Sequence, residues 1–161
     1  MFLFTHVATG IAIGLSTPDP ASSFLLGLGS HAVLDSIPHI DVGQMFRPGI
    51  ENRETTPRTL WEWVFIVLDF VLSVSLLGIC WYIGRGQPSI IAGAFGAFLP
   101  DSVYLPIIGE RIKNLPIMKQ IDALHNVVHY RLPDGLRHQG WFAPAAITIM
   151  ATAMICLHLI K

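Results

Sequence analysis

Long apolar stretches separated by short polar connections dominate the chain, and they predict about five membrane-crossing helices. The clearest stretch is Leu60–Ile83, which is long enough for a bilayer and has tryptophan residues near both ends, as interfacial residues have. Trp141–Ile160 is a second. The remaining three are shorter or interrupted: Phe2–Leu15, Ala21–Pro38 and Pro88–Ile108. Proline inside the last one predicts a broken helix near Pro100.

The longest polar connection, residues 109–139, predicts one more helix, outside the membrane. Between residues 118 and 130, apolar side chains recur at Ile121, Leu124 and Val127, which is the spacing of an amphipathic helix. We therefore expect an all-α, polytopic membrane protein in which residues 1–161 form a single integral membrane domain.

The composition supports a membrane protein. Hydrophobic residues make up 52% of the chain, charged residues only 13%, and the mean hydropathy is +0.56. Soluble domains average about 25% charged residues. A net charge of -1 argues against a nucleic-acid partner, which requires a basic surface. Cys80 and Cys156 lie in apolar stretches without metal-site spacing, so we expect them to be small apolar core residues.

Basic residues predict which side of the membrane each connection occupies. Of the ten Lys and Arg residues, eight lie in two connections, 39–59 and 109–139. Because basic connections are retained on the cytoplasmic side, both connections and the N-terminus are expected in the cytoplasm. With five segments, the C-terminus is expected outside.

Ionisable residues at helical spacing in this apolar setting indicate a functional site, because such groups are costly in hydrocarbon. His31 and Asp35 are four residues apart, as are His125 and His129, so each pair can bind one ion from one helix face. With Asp101, they predict a divalent metal site, with zinc as the first choice and manganese or magnesium as alternatives. Five ligands suffice for one open site or two bridged ions.

The spacing of His125 and His129 matches the two histidines of the zincin motif H-E-x-x-H. The residue after the first histidine is Asn126, so the catalytic glutamate of that motif is missing. The chain is therefore not a zincin.

Two segments of the chain resemble each other. GLGSHAVLDSI (residues 27–37) aligns with GAFGAFLPDSV (residues 93–103), which places Gly27 on Gly93 and Asp35 on Asp101. Because glycine-rich helix faces approach closely in membranes, such a repeat predicts that both aspartates reach one shared centre.

These segments, with THVATG at residues 5–10, resemble the bacterial and archaeal membrane-bound metal-dependent hydrolases, a family that includes a LexA-regulated inner-membrane hydrolase. The resemblance implies a small helical protein of the inner (cytoplasmic) membrane with a metal site and a hydrolytic activity. The chain departs from the family pattern at LHNVVH (residues 124–129), where one residue fewer separates the two histidines.

In a hydrolase, a histidine or carboxylate outside the ligand set acts as the base, and His6 and Asp41 are the candidates. The basic cytoplasmic connections would attract an anionic head group. We therefore expect the substrate to be a phospholipid or a lipid-linked phosphate in the cytoplasmic leaflet.

Two other classes of function stay open on the sequence. The same residues can bind or transport a divalent cation or a proton, or they can be polar contacts in a structural or regulatory membrane protein. Asp69 lies deep inside the segment Leu60–Ile83, with Glu62 seven residues before it. This pair is predicted either to orient a histidine ligand or to belong to an ion path.

Overall fold

The computed structural model describes residues 1–47, 57–104, 108–130 and 132–160. Within these ranges, all regular elements are helices. The α-helices are α1 (Leu3–Ser16), α2 (Pro20–Asp35), α3 (Val42–Phe46), α4 (Leu60–Ile83), α5 (Pro88–Phe98), α6 (Ile108–Ile112), α7 (Pro116–Val128) and α8 (Phe142–Leu159). Two 3-10 helices occupy Leu99–Tyr104 and Asp134–Trp141. The all-α prediction is confirmed for these residues.

Helices α1, α2 and α5 pack with their backbones in contact. Gly93 of α5 is the meeting point, because a Cβ atom on either Gly10 of α1 or Gly27 of α2 would overlap its carbonyl oxygen. Only residues without a side chain permit this approach. The alignment of Gly27 with Gly93 in the sequence thus corresponds to a direct helix–helix contact.

The directions of these three helices place their ends together. Gly10 faces Gly93 and Gly14 faces Ser89, so α5 runs antiparallel to α1. A tight turn between α1 and α2 also reverses the chain, and Asp19 caps α2 by accepting a hydrogen bond from the backbone N–H of Ser22 at 2.7 Å. The N-terminus of α1 therefore lies beside the C-terminal ends of α2 and α5.

Two helices pack against the outside of α1 and expose apolar surface. The segments Leu60–Ile83 and Gly135–Leu159 are both long and apolar enough to cross a membrane, and only 11% and 17% of their most apolar windows are buried. A core helix of a soluble protein would be mostly buried. These exposed faces are suited to lipid.

The prediction of about five membrane segments is wrong. Among the described residues, two helices are long and apolar enough to cross a membrane. The predicted segments Phe2–Leu15, Ala21–Pro38 and Pro88–Ile108 form α-helices of 14, 16 and 11 residues. At 1.5 Å per residue α1 and α2 span roughly 21 and 24 Å, less than the bilayer core of about 30 Å, and α5 gives way at Leu99 to a 3-10 helix.

The two local predictions for the second half of the chain agree with the structure. α5 ends at Phe98 and continues as a 3-10 helix through Pro100, which is the predicted break. The predicted helix at 118–130 is α7. Its buried residues are Met118 and His125, whereas Leu124 and Val127 are exposed, which suits a helix at a membrane surface.

The close packing predicts opposite effects for two glycines of α2. Gly27→Ala should lower the free energy of unfolding by about 1–3 kcal/mol, because the new Cβ meets the backbone of α5. A Cβ atom on Gly29 would have no neighbour within 4 Å. Gly29→Ala should therefore raise stability by about 0.5–1 kcal/mol through helix propensity. Thermal unfolding in detergent measures both, and equal effects would contradict the packing.

Candidate metal centre

Eight ionisable side chains converge where α1 begins and where α2, α5 and α7 end; we call them the His/Asp cluster. Its members are His6, His31, Asp35, His39, Asp41, Asp101, His125 and His129. They come from four helices and from two short segments that follow helices. The cluster is therefore a product of the tertiary fold.

The carboxylate of Asp35 is the central member, and its side chain has no exposed surface. One of its oxygens, Oδ2, lies 2.9 Å from Nε2 of His125 and 3.2 Å from Nε2 of His31. The other, Oδ1, lies 3.1 Å from Nε2 of His6. A buried carboxylate requires compensating positive charge or hydrogen-bond donors, and these three rings are arranged around it.

Asp101 lies near the same three histidine nitrogens, at a greater distance than Asp35. Its carboxylate oxygens are 3.8 Å from Nε2 of His31 and 3.9 Å from Nε2 of His6 and of His125. Its side chain is 23% exposed. The two aspartates of the sequence repeat therefore do reach one centre, as predicted, and the Asp101 side is the more open one.

A second group of histidines lies beside Asp41. Nε2 of His39 is 3.2 Å from Oδ1 of Asp41, and Nε2 of His129 is 3.6 Å from Oδ2. Both histidine nitrogens are also 3.9 Å from an oxygen of Asp35. Asp35 is thus shared by the two groups of histidines.

Backbone carbonyl groups determine which nitrogen of two rings faces the carboxylates. Nδ1 of His31 donates a hydrogen bond to the carbonyl of Ala97 at 2.8 Å, and Nδ1 of His39 donates to that of Ile37 at 2.8 Å. A neutral ring with Nδ1 protonated presents an Nε2 lone pair, which is how metal-binding histidines are oriented.

The buried nitrogens of His6 and His31 test whether the cluster suits a metal ion. Nε2 of both residues is buried and has no hydrogen-bond partner among the described residues. An unprotonated nitrogen facing a carboxylate oxygen is unfavourable unless a cation lies between them. The donor set of imidazole and carboxylate groups is that of divalent transition metals. The cluster therefore fits a metal ion.

The donor atoms fall into two sets in which all atoms lie within 4.8 Å of one another. The sets are His31, Asp35, Asp101 and His125, and Asp35, His39 and His129. Ligands about 2.0–2.2 Å from a tetrahedral zinc ion are roughly 3.3 Å apart. The separations of 2.9 to 3.9 Å in the cluster are close to that value. Each set could hold an ion.

Helix ends make the centre favourable for positive charge. α2 ends at Asp35 and α7 ends at Val128, and the backbone N–H of Tyr130 donates to the carbonyl of Asp35 at 2.8 Å. The C-terminal ends of helices carry partial negative charge. This backbone hydrogen bond joins the two ends and keeps His129 next to Asp35.

A cation lies inside the cluster. The α-amino nitrogen of Met1 is 2.8 Å from Nε2 of His39, 3.2 Å from Oδ1 of Asp35 and 3.3 Å from Oδ1 of Asp41. Burial lowers the pKa of this amine, but the carboxylates raise it above its usual value, Asp41 most of all. Burial raises the pKa of Asp41, yet hydrogen bonds from His129 and His39 hold it well below its usual range. The surroundings thus stabilise positive charge.

The structure brings all five predicted ligands, His31, Asp35, Asp101, His125 and His129, into the cluster. His39 was not among them, although it lies four residues after Asp35 in the sequence. The two predicted catalytic residues differ in position. His6 is completely buried beside Asp35, whereas the Asp41 side chain is 34% exposed.

Asp69 and Glu62 do not orient a histidine ligand through any hydrogen bond that the structure describes, so that prediction is corrected. Asp69 accepts hydrogen bonds from the backbone N–H groups of Leu3 and Phe4, at 2.8 and 2.9 Å. It therefore caps α1 from a neighbouring helix. Glu62 accepts from Nε of Arg47 at 2.9 Å and forms the capping box of α4.

No protein-family model, curated protein or solved structure matches this chain. The resemblance of the three sequence segments to membrane-bound metal-dependent hydrolases therefore stays a prediction.

Asp69 is predicted to control the position of α1, and with it His6. Asp69→Ala leaves two backbone N–H groups at the start of α1 without acceptors, which should lower the free energy of unfolding by about 1–3 kcal/mol. Asp69→Asn retains an acceptor oxygen and should lose less than half as much. Thermal unfolding in detergent measures the difference. An Ala variant as stable as the unchanged protein would contradict the capping role.

Proposed function

We propose that this protein is a membrane-embedded, metal-dependent hydrolase that acts on a phospholipid or lipid-linked phosphate at the cytoplasmic leaflet. The observation that carries the proposal is the His/Asp cluster, in which buried nitrogen ligands surround Asp35 while Asp101 and Asp41 face an opening. A metal-ligand set with an accessible side is the arrangement of hydrolytic metal sites.

Roles for individual residues follow from burial. His31, Asp35, Asp101 and His125 would hold a divalent ion, which lowers the pKa of bound water and polarises the phosphoryl group. His6 is completely buried, so it supports the ligands and does not reach substrate.

Asp41 is the exposed carboxylate at the opening, and we assign it as the general base. Its side chain is 34% exposed to solvent, so water and substrate can reach it. Nε2 of His39 lies 3.2 Å from one of its oxygens and keeps the carboxylate turned toward the centre. It can therefore accept a proton from a water molecule held there.

Exposed apolar surface supports a membrane location near the cluster. Along α4, Val67 and Val71 are 56% and 51% exposed. Phe2, which follows Met1 of the cluster, packs with its ring 5.3 Å from those of Phe65 and Trp141. These contacts and the hydrogen bonds from Leu3 and Phe4 to Asp69 put the start of α1 beside the half of α4 that begins with Trp61 and Trp63, so we infer that the cluster is reached from that side of the membrane. The basic connections favour the cytoplasmic interface.

An apolar groove between α1, α4 and α5 supports a lipid substrate. The groove has a volume of about 180 Å³, and its lining includes Val7, Phe70 and Phe98. Val7 follows His6 in the chain, and Phe98 is three residues before Asp101. An acyl or prenyl chain in this groove would hold its phosphate next to the metal centre.

The alternative is a protein that transports a divalent cation or a proton. A transport path requires ionisable groups at several depths. In the structure Asp69 is used as a helix cap, and the His/Asp cluster lies at one level. The arrangement therefore favours hydrolysis.

Hydrolysis can be tested with purified protein reloaded with zinc or manganese. It should release phosphate or a head group from mixed micelles of phosphatidic acid, phosphatidylglycerol or a polyprenyl diphosphate. Asp35→Asn should lower kcat/KM by more than about 100-fold, because losing outer partners of a ligand alone costs roughly 10- to 100-fold. Chromatography of the lipid products measures the reaction.

His138→Ala is the matched control, because His138 is an exposed histidine outside the cluster. Its activity should stay within about twofold of the unchanged protein, since distant surface changes have small effects. No cleavage of any of these lipids, together with zinc or proton uptake into vesicles that His125→Ala abolishes, would replace the hydrolase with the transporter.

The membrane location predicts which spin labels contact lipid. A nitroxide on Val71→Cys of α4 should be accessible to oxygen and inaccessible to a water-soluble nickel complex. A label on Lys119→Cys, on the exposed side of α7, should be accessible to nickel. Paramagnetic relaxation in reconstituted vesicles measures both. Strong nickel accessibility at residue 71 would contradict a membrane-embedded α4.

A further inference from the structure

The His/Asp cluster contains more donors than one metal ion can use. Five histidines and three aspartates meet there, whereas a zinc ion binds four ligands and catalytic zinc only three from the protein. Neutral histidines and ionised carboxylates this close together call for more than one positive charge. Apart from the buried His6, the donors outside the first set, His39, His129 and Asp41, lie together.

The two oxygens of Asp35 point to different histidines. Oδ2 is nearest to His125 and His31, at 2.9 and 3.2 Å, and His129 is 3.9 Å away. Oδ1 is nearest to His6, at 3.1 Å, and lies 3.9 Å from His39. A carboxylate with nitrogen ligands on both sides is a bridge between two metal ions, which in such sites are about 3.5–4 Å apart.

We propose that the protein binds two divalent metal ions bridged by Asp35, the second held by Asp35, His39 and His129. This inference rests on the same metal centre as the proposed function. Three protein ligands leave one coordination position open, which is the arrangement of a catalytic ion. The first set has four protein ligands, so its ion would bind water or a phosphoryl oxygen as a fifth ligand, on the exposed side of Asp101.

Three features place a cation at the second set. The carbonyl of Ile37 orients His39 so that its Nε2 faces the carboxylates. The α-amino nitrogen of Met1 lies within 3.3 Å of Asp35, His39 and Asp41, and the second ion would displace this positively charged group from between the same donors. Asp41 then adds negative charge beside that ion.

The second ion would also lie beside Asp41, the residue proposed as the general base. Asp41 contacts both His39 and His129 but lies outside the set of atoms close enough for shared ligation. It is therefore positioned to accept a proton from water on the second ion. The reactive side of the centre would be this set, in which a predicted ligand, His129, and a predicted base, Asp41, act together.

Metal stoichiometry tests the inference without any assay of activity. Protein stripped with a chelator and reloaded with zinc alone should contain two ions per chain by elemental analysis. His39→Ala and His129→Ala should each retain one ion, and His138→Ala should retain two. Circular dichroism and thermal unfolding confirm folding, and His39→Gln replaces the alanine variant if that one unfolds.

Manganese provides a second readout on the unchanged sequence. At two equivalents, ions bridged by a carboxylate should give a spin-coupled paramagnetic resonance spectrum in place of the six-line signal of isolated ions. Saturation at one ion per chain, an uncoupled spectrum at two equivalents, or two zinc ions in both His39 and His129 variants would overturn the inference.

The two proposals fail in distinguishable ways. A protein that binds two coupled ions and cleaves no lipid phosphate supports the bridged centre and contradicts the hydrolase. A protein that cleaves lipid phosphate with a single ion supports the hydrolase and contradicts the bridged centre.

Discussion

A single buried carboxylate, Asp35, organises this structure. With no exposed surface it requires compensation, and histidines from α1, α2 and α7 surround it at 2.9 to 3.2 Å. The backbone at the same residue accepts a hydrogen bond from Tyr130. The end of α2 is therefore tied to the end of α7 through both side chain and main chain. The His/Asp cluster, which could hold a metal ion, is built around this one charge.

The glycine contacts make that convergence possible. Because α1 and α2 both meet α5 at Gly93 with their backbones touching, the ends of the three helices come within reach of short side chains. Asp and His side chains span only a few ångströms, so a larger distance between the helix axes would separate them. Asp69 contributes from outside by holding the first turn of α1, which carries His6.

An apolar groove lies between α1, α4 and α5, the first and last of which also carry or precede residues of the His/Asp cluster. The apolar groove begins beside residues of α1 and α5 that flank the cluster, and α4 and α8 expose apolar faces around it. The proposed substrate, a lipid phosphate, would use both features, since its chain is apolar and its head group is anionic. A soluble phosphate ester would leave the groove without a role.

The sequence by itself determined the helical class, the break near Pro100, the amphipathic helix α7 and the ligand residue types, because hydrophobic spacing and isolated polar residues are local signals. It also indicated through the repeat that Asp35 and Asp101 meet. Tertiary structure alone decided that α1, α2 and α5 are short, that His39 joins the cluster and that Asp69 caps another helix. These depend on where helices end and which backbones touch, and neither is encoded in the periodicity of a single segment.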